Sequence, residues 1–169
     1  IEVPSGAGPM YALPAIAEAQ GSSVPLIIIT SDTPLIGEGR GVITELDCAK
    51  LFESVTKASF LVKSALKIPE VVRRAFRIAT TGRPGAVHIA VPEDILLEDI
   101  PEDRVSIYAE EACRQYPAYP PLPDIQSLGK LQTLISSAQR PLIVAGGGVN
   151  RSGGGRAPTS YAERMGIPV

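Results

Sequence analysis

Two unbroken apolar runs organise the chain. Pro25-Leu26-Ile27-Ile28-Ile29-Thr30 and Ala86-Val87-His88-Ile89-Ala90-Val91 lack the polar alternation of a half-buried strand. Each therefore predicts a strand covered on both faces, as in a parallel sheet flanked by helices. Between and before them the period becomes helical. Residues 10–20 are Ala-rich, with Leu13, Ile16 and Ala17 at helical spacing and Gly21 as a stop. Pro14 then falls in the first turns, where its missing N–H is tolerated. Over residues 68–81, Val71, Val72, Ala75, Phe76, Ile78 and Ala79 interleave with Arg73, Arg74 and Arg77. This predicts an amphipathic helix whose arginines form a solvated face. A short helix is expected at 45–54, a short strand at 59–63, and the end of a strand at Ile1-Glu2-Val3. The alternation predicts an α/β fold of parallel, Rossmann-like layers with right-handed crossovers.

Beyond residue 93 the pattern dissolves into acidic residues and then Tyr116-Pro117-Ala118-Tyr119-Pro120-Pro121-Leu122-Pro123. Prolines at this density fit neither a helix nor a central strand, so residues 96–123 read as an extended linker. Asp124 opens a new helix over 125–138, with Leu128, Leu131, Leu134 and Ile135 on one face. Pro141-Leu142-Ile143-Val144-Ala145 predicts a further strand, running into Gly146-Gly147-Gly148 and a helix candidate. Strand fragments at both extremities suggest a middle piece of something larger.

Composition narrows the function classes. A net charge of -2 gives no electrostatic case for nucleic acid or an anionic membrane as partner. Trp is absent and aromatics make up 5%, which removes the stacking platforms of single-strand binders. No apolar run approaches the ~20 residues of a membrane span, and no signal-peptide pattern is present, so the expected location is cytoplasmic. Cys48 and Cys113 are far apart and lack ligand-spaced partners, so both read as structural thiols.

The chemistry-bearing candidates lie at two glycine junctions. In open α/β sheets, ligands bind beyond the carboxyl ends of strands, where glycines let the backbone approach and helix N-termini present free N–H groups. Ser5-Gly6-Ala7-Gly8 and Gly146-Gly147-Gly148 both occupy such ends. Neither completes the dinucleotide fingerprint, since Tyr11 and Arg151 stand where the third glycine belongs, and a plain turn remains an alternative for each. A long loop over 31–47, with Pro34, Gly37, Gly39 and Gly41, has the length of a functional loop. Glu38, Glu45 and Asp47 flank it without a nucleophile or base beside them. His88 reads as a hydrogen-bonded core histidine. No metal ligands are assigned, and these residues alone do not establish catalysis.

Taken in order, six motifs resemble one family. They are Ser5 to Gly8; Pro25 to Thr30; Ile36-Gly37 through Thr44-Glu45; Lys57-Ala58-Ser59-Phe60-Leu61-Val62-Lys63; Gly82-Arg83-Pro84-Gly85 through Pro92-Glu93-Asp94; and Arg140 through Gly148. Together they are similar to thiamine-diphosphate-dependent enzymes of the acetolactate synthase type. The resemblance implies that residues 1–95 form the C-terminal part of a pyrimidine-binding domain, 96–123 a linker, and 124–169 the start of a Rossmann-like central domain. Ser5, Gly6, Ala7, Gly8 and Tyr11 would then lie beside the cofactor's pyrimidine ring, with Tyr11 replacing an amide common in the family. Thr44 and Glu45 would face the substrate, Thr44 standing where acetolactate synthases carry glutamine. Gly146, Gly147 and Gly148 match the place where some members hold FAD and others ADP.

The resemblance further implies thiamine diphosphate with Mg²⁺, a 2-oxo acid or related carbonyl substrate, and a parent transferase or lyase that works as a homo-oligomer. The activating glutamate and the Mg²⁺ motif are expected outside this chain, so the segment by itself is expected to be inactive. Two other readings stand beside this one. One is a nucleotide-binding module for FAD, NAD or ADP without thiamine chemistry; the other is a non-catalytic interaction fragment.

Overall fold

A computed structural model describes all residues, 1–169. The chain divides into two compact units, residues 1–118 and 119–169. In the first unit the strands β1 (Glu2–Val3), β2 (Leu26–Asp32), β3 (Ala58–Leu61) and β4 (Ala86–Pro92) form one four-stranded sheet in the order β1-β2-β4-β3. Every pairing is parallel. The first unit is thus α/β with a parallel, Rossmann-like layer.

The two apolar runs became the central strands for a physical reason. Successive side chains of a strand point to opposite faces, and here both faces are covered. Val87, Ile89 and Val91 pack with Val62, Ala75 and Ala79 under α3 (Ile68–Thr80). Ile28 and Ala86 pack on the other face with Ile16 and Phe52, carried by α1 (Ala7–Gly21) and α2 (Cys48–Glu53). Each of the Val, Ile and Phe side chains among them contributes roughly 1.5–3 kcal/mol on full burial.

α1 begins three residues before its expected start. Gly6 turns the chain at φ 79°, so the helix opens at Ala7 and Pro14 lies in its interior. The proline there removes the N–H that would otherwise bond the Met10 carbonyl. Arg74 and Arg77 of α3 are exposed, as a solvated face requires, and the following chain reaches the rim of that face. Arg77 Nη2 donates to Glu110 Oε2 at 2.7 Å, and Arg73 lies over the Tyr108 ring at 4.0 Å. Ala118 N donates to Thr80 O at 3.2 Å. Much of the stretch read as linker is therefore held against α3, with Cys113 buried beneath it.

A four-residue α4 (Glu93–Leu96) follows β4. The second unit contains α5 (Ile125–Ser137), α6 (Gly147–Arg151) and α7 (Arg156–Met165). The Asp124 carboxylate caps α5 by accepting from Ser127 N at 2.8 Å, which also holds its pKa below the usual carboxylate value. The strand expected at residues 141–145 does not form. A strand needs a ladder, and this run makes only the bond from Ile143 N to Pro168 O at 2.9 Å. No helix is long and apolar enough to cross a membrane.

Candidate functional site

The carboxyl ends of β2, β3 and β4 open onto a cavity of about 280 Å³. Asp32, Thr33, Leu61 and Pro92 line it from the strand ends, and Glu38 and Asp47 from the long loop. Burial raises the Asp32 pKa above its usual value; the Thr33 N–H opposes this and the charge of Asp47 adds to it. Thr33 Oγ1 is buried without a hydrogen-bond partner. Asp32 and Thr33 were not singled out from the sequence. The signal available was position, because they directly follow an apolar parallel strand.

The glycine loop and the long loop meet above β2. Ser5 N donates to Ser31 Oγ at 3.0 Å, and Ser5 Oγ lies 3.3 Å from Thr44 Oγ1. A Cβ on Gly6 would stand 2.9 Å from Thr44 Cβ, and one on Gly8 would stand 3.1 Å from Pro4 Cδ. Glycine is thus required at residue 6 by contact as well as by its positive φ. Thr44 itself has φ 67°, a conformation that costs a side-chain-bearing residue about 1–2 kcal/mol.

Glu45, expected on the substrate side, lines the cavity but turns its carboxylate onto its own loop. It accepts from Gly39 N at 2.5 Å, Gly41 N at 2.6 Å and Val42 N at 3.2 Å. Tyr11, on the first turns of α1, is 85% exposed, so its phenol is free for a ligand or another surface. The structure therefore brings Ser5, Gly6 and Thr44 together, with Gly8, Tyr11 and Glu45 close along the same two loops.

The other titratable candidates are structural. His88 is fully buried and stacks on Phe52 at 4.4 Å. Ser59 Oγ donates to Ala49 O at 2.8 Å, so at 2.7 Å it accepts from His88 Nδ1; Nε2 then accepts from Thr30 Oγ1 at 2.9 Å. Burial holds this neutral imidazole at a pKa of about 4. Burial, reinforced by Asp32, pushes the Cys48 thiol up to about 11, which makes it a poor nucleophile. A second cavity of about 430 Å³ lies between α3 and residues 108–114, away from the strand ends. No group of three or more His, Cys, Asp or Glu side chains is arranged to hold a metal ion.

The other glycine cluster belongs to the second unit. Gly146 caps α6 without a side-chain hydrogen bond, and a Cβ on Gly146 or Gly148 would meet no neighbouring atom within 4 Å.

A parallel sheet with a glycine loop and a cavity at its strand ends has the layout in which open α/β proteins bind ligands. No protein-family model matches the sequence. Curated relatives do. The chain is 38% identical over 167 residues to a "Probable acetolactate synthase large subunit" of Methanocaldococcus jannaschii, covering 98% of this chain and 28% of that protein. It is 34% identical over 169 residues to "Acetolactate synthase 3, chloroplastic" of Brassica napus, covering 98% and 25%. With the "Acetolactate synthase large subunit" of Lactococcus lactis it shares 30% over 171 residues, covering 100% and 29%. The chain therefore belongs to the thiamine-diphosphate-dependent family of acetolactate synthase type. It spans less than a third of the length of these relatives.

Proposed function

We propose that the first unit supplies the pyrimidine-side wall of a thiamine diphosphate site, in an enzyme that makes or breaks a C–C bond next to a carbonyl. The observation that carries this reading is the contact of the Ser5–Gly8 loop with Thr44 above the strand ends. The residues present fit the group. Glycines at 6 and 8 let the loop backbone pack closely on Thr44 and Pro4, while Tyr11 and Thr44 add exposed side chains beside it.

Bound with Mg²⁺, thiamine diphosphate supplies nucleophilic addition to a carbonyl and a sink for the electron pair left by decarboxylation. The chain's own residues would orient it. Ser5 to Gly8 would set the depth of the aminopyrimidine, Tyr11 would offer its phenol where relatives offer an amide, and Thr44 would face the reacting carbonyl. A threonine in place of the family's glutamine favours a 2-oxo acid or related carbonyl other than that of an ordinary acetolactate synthase. The domain reading goes with this: 1–95 as part of a pyrimidine-binding domain, 96–123 as its connection, 124–169 as the start of a central domain. The working enzyme is read as a homo-oligomeric transferase or lyase. A nucleotide at Gly146 to Gly148 has no comparable packing in its favour.

The test is calorimetric titration of the full-length protein with thiamine diphosphate and Mg²⁺. Wild type is expected to bind, and Gly6→Ala to weaken binding on the order of 10-fold to 100-fold, a loss of about 1.4–2.8 kcal/mol. Wild-type affinity in Gly6→Ala would refute the placement. FAD and ADP titrations, with a panel of 2-oxo acids as substrates, resolve the second-unit ligand and the substrate.

A further inference from the structure

We propose that Glu45 is a positioning residue whose carboxylate fixes Thr44 against the glycine loop; the proposal rests on the reading of that loop as a cofactor wall. Glu45 grips Val42 twice. Its carboxylate accepts from Val42 N at 3.2 Å, and its own backbone N–H donates to Val42 O at 3.1 Å. Ile43 and Thr44 lie between these two anchor points. The same carboxylate takes Gly39 N at 2.5 Å and Gly41 N at 2.6 Å, both glycines having positive φ, 75° and 68°.

An exposed loop with Ile43 at 92% exposure has little apolar burial to order it. A threonine at φ 67° persists only where its surroundings over-determine it. Three backbone N–H groups converging on one carboxylate, together with the second grip on Val42, provide that determination. Charge-assisted bonds of this kind are roughly twice as strong as neutral ones. The consequence reaches Gly6, since the side chain held in place by this arrangement is the one that leaves Gly6 no room for a Cβ. Glu45 therefore acts on the site through Thr44 rather than by touching a ligand.

A double-mutant cycle in the full-length protein tests this, with thiamine diphosphate and Mg²⁺ as the titrant and amide hydrogen exchange as a second readout. Glu45→Ala is expected to raise the cofactor Kd roughly tenfold and to speed exchange at Gly39, Gly41 and Val42, leaving the sheet amides of Ile28 and Ile89 as in wild type. Glu45→Gln, which keeps one acceptor oxygen, should recover part of both effects. Glycine adopts the left-handed conformation without help, so in a Thr44→Gly background Glu45→Ala should raise Kd less than about twofold further. Equal losses in the two backgrounds would overturn the proposal. So would faster exchange across the whole sheet, which marks general destabilisation. A wild-type protein that fails to bind thiamine diphosphate overturns the functional reading and the proposal with it; additive losses in a binding-competent protein overturn the positioning role alone.

Discussion

The two glycine junctions both follow a strand-like run in the sequence and are built in opposite ways. At the first, β1 is laddered to β2 through Glu2 with Ile29 and Val3 with Thr30, and the loop that follows meets Ser31 and Thr44. Gly6 is held at φ 79° with Thr44 2.9 Å from where a Cβ would stand. At the second, residues 141–145 make a single backbone bond to Pro168, and Gly146 and Gly148 have open space where a side chain would go. Glycine is present at the first because nothing larger fits. At the second, no neighbour requires it. A glycine cluster is therefore constrained by packing only where another loop closes on it, and at the first junction that element is the loop carrying Thr44.

The strongest way to break this contrast is Gly6→Ala. A left-handed φ costs alanine about 1–2 kcal/mol, and forcing Thr44 aside adds about 1–3 kcal/mol of overpacking. Chemical denaturation is expected to show a loss of about 2–5 kcal/mol for the first unit. A loss below about 1 kcal/mol would mean that the junction is as loose as its counterpart.

Acid separates the two regions next, because the chain's one histidine belongs to the sheet. The folded pKa of His88, about 4, lies below its ordinary 6.5. Between these values the unfolded chain binds a proton that the folded sheet refuses. Stability of the first unit should therefore be level above pH 6.5 and fall as pH drops toward 4, by up to about 3 kcal/mol. Asp32 opposes this in the acid range, since its raised pKa makes the folded state take up a proton earlier. Comparing the pH slope of wild type with that of His88→Gln isolates the histidine. Identical slopes from pH 6.5 to 4 would show that the imidazole is solvated.

The sheet was legible because its strands are covered on both faces, so Ile27, Ile28 and Ile29 carry a signal independent of register. α3 was legible because its apolar and arginine positions separate cleanly, and the expected 68–81 became Ile68–Thr80. What escaped depends on contacts distant in sequence. The early start of α1 comes from the Gly6 turn, which apolar periodicity starting at Met10 does not register. The fold-back of residues 105–118 rests on pairs such as Arg77 with Glu110, thirty-three residues apart. The same limit explains 141–145, where an apolar run signals burial but a strand requires a partner. At the site, Ser5 and Gly6 were legible as a loop and Thr44 as a substitution; their contact was not, since nothing local couples residue 5 to residue 44.

The smallest expected effect is the most discriminating for the second junction. Gly148 lies inside α6 with no atom within 4 Å of an added Cβ, so Gly148→Ala should stabilise that unit by about 0.5–1 kcal/mol through helix propensity and a less flexible unfolded chain. Calorimetry should show a rise of a few degrees in its melting temperature. If the backbone at Gly148 instead approaches a nucleotide diphosphate closely, the added methyl group would stand in the ligand's path. The same variant would then lose affinity for FAD or ADP by more than about tenfold even while the free protein melts higher. A rise in melting temperature with no change in nucleotide titration leaves cofactor binding to the junction at Ser5 to Gly8. A loss of affinity means that the open junction is also a site, one that closes on its ligand rather than on the protein.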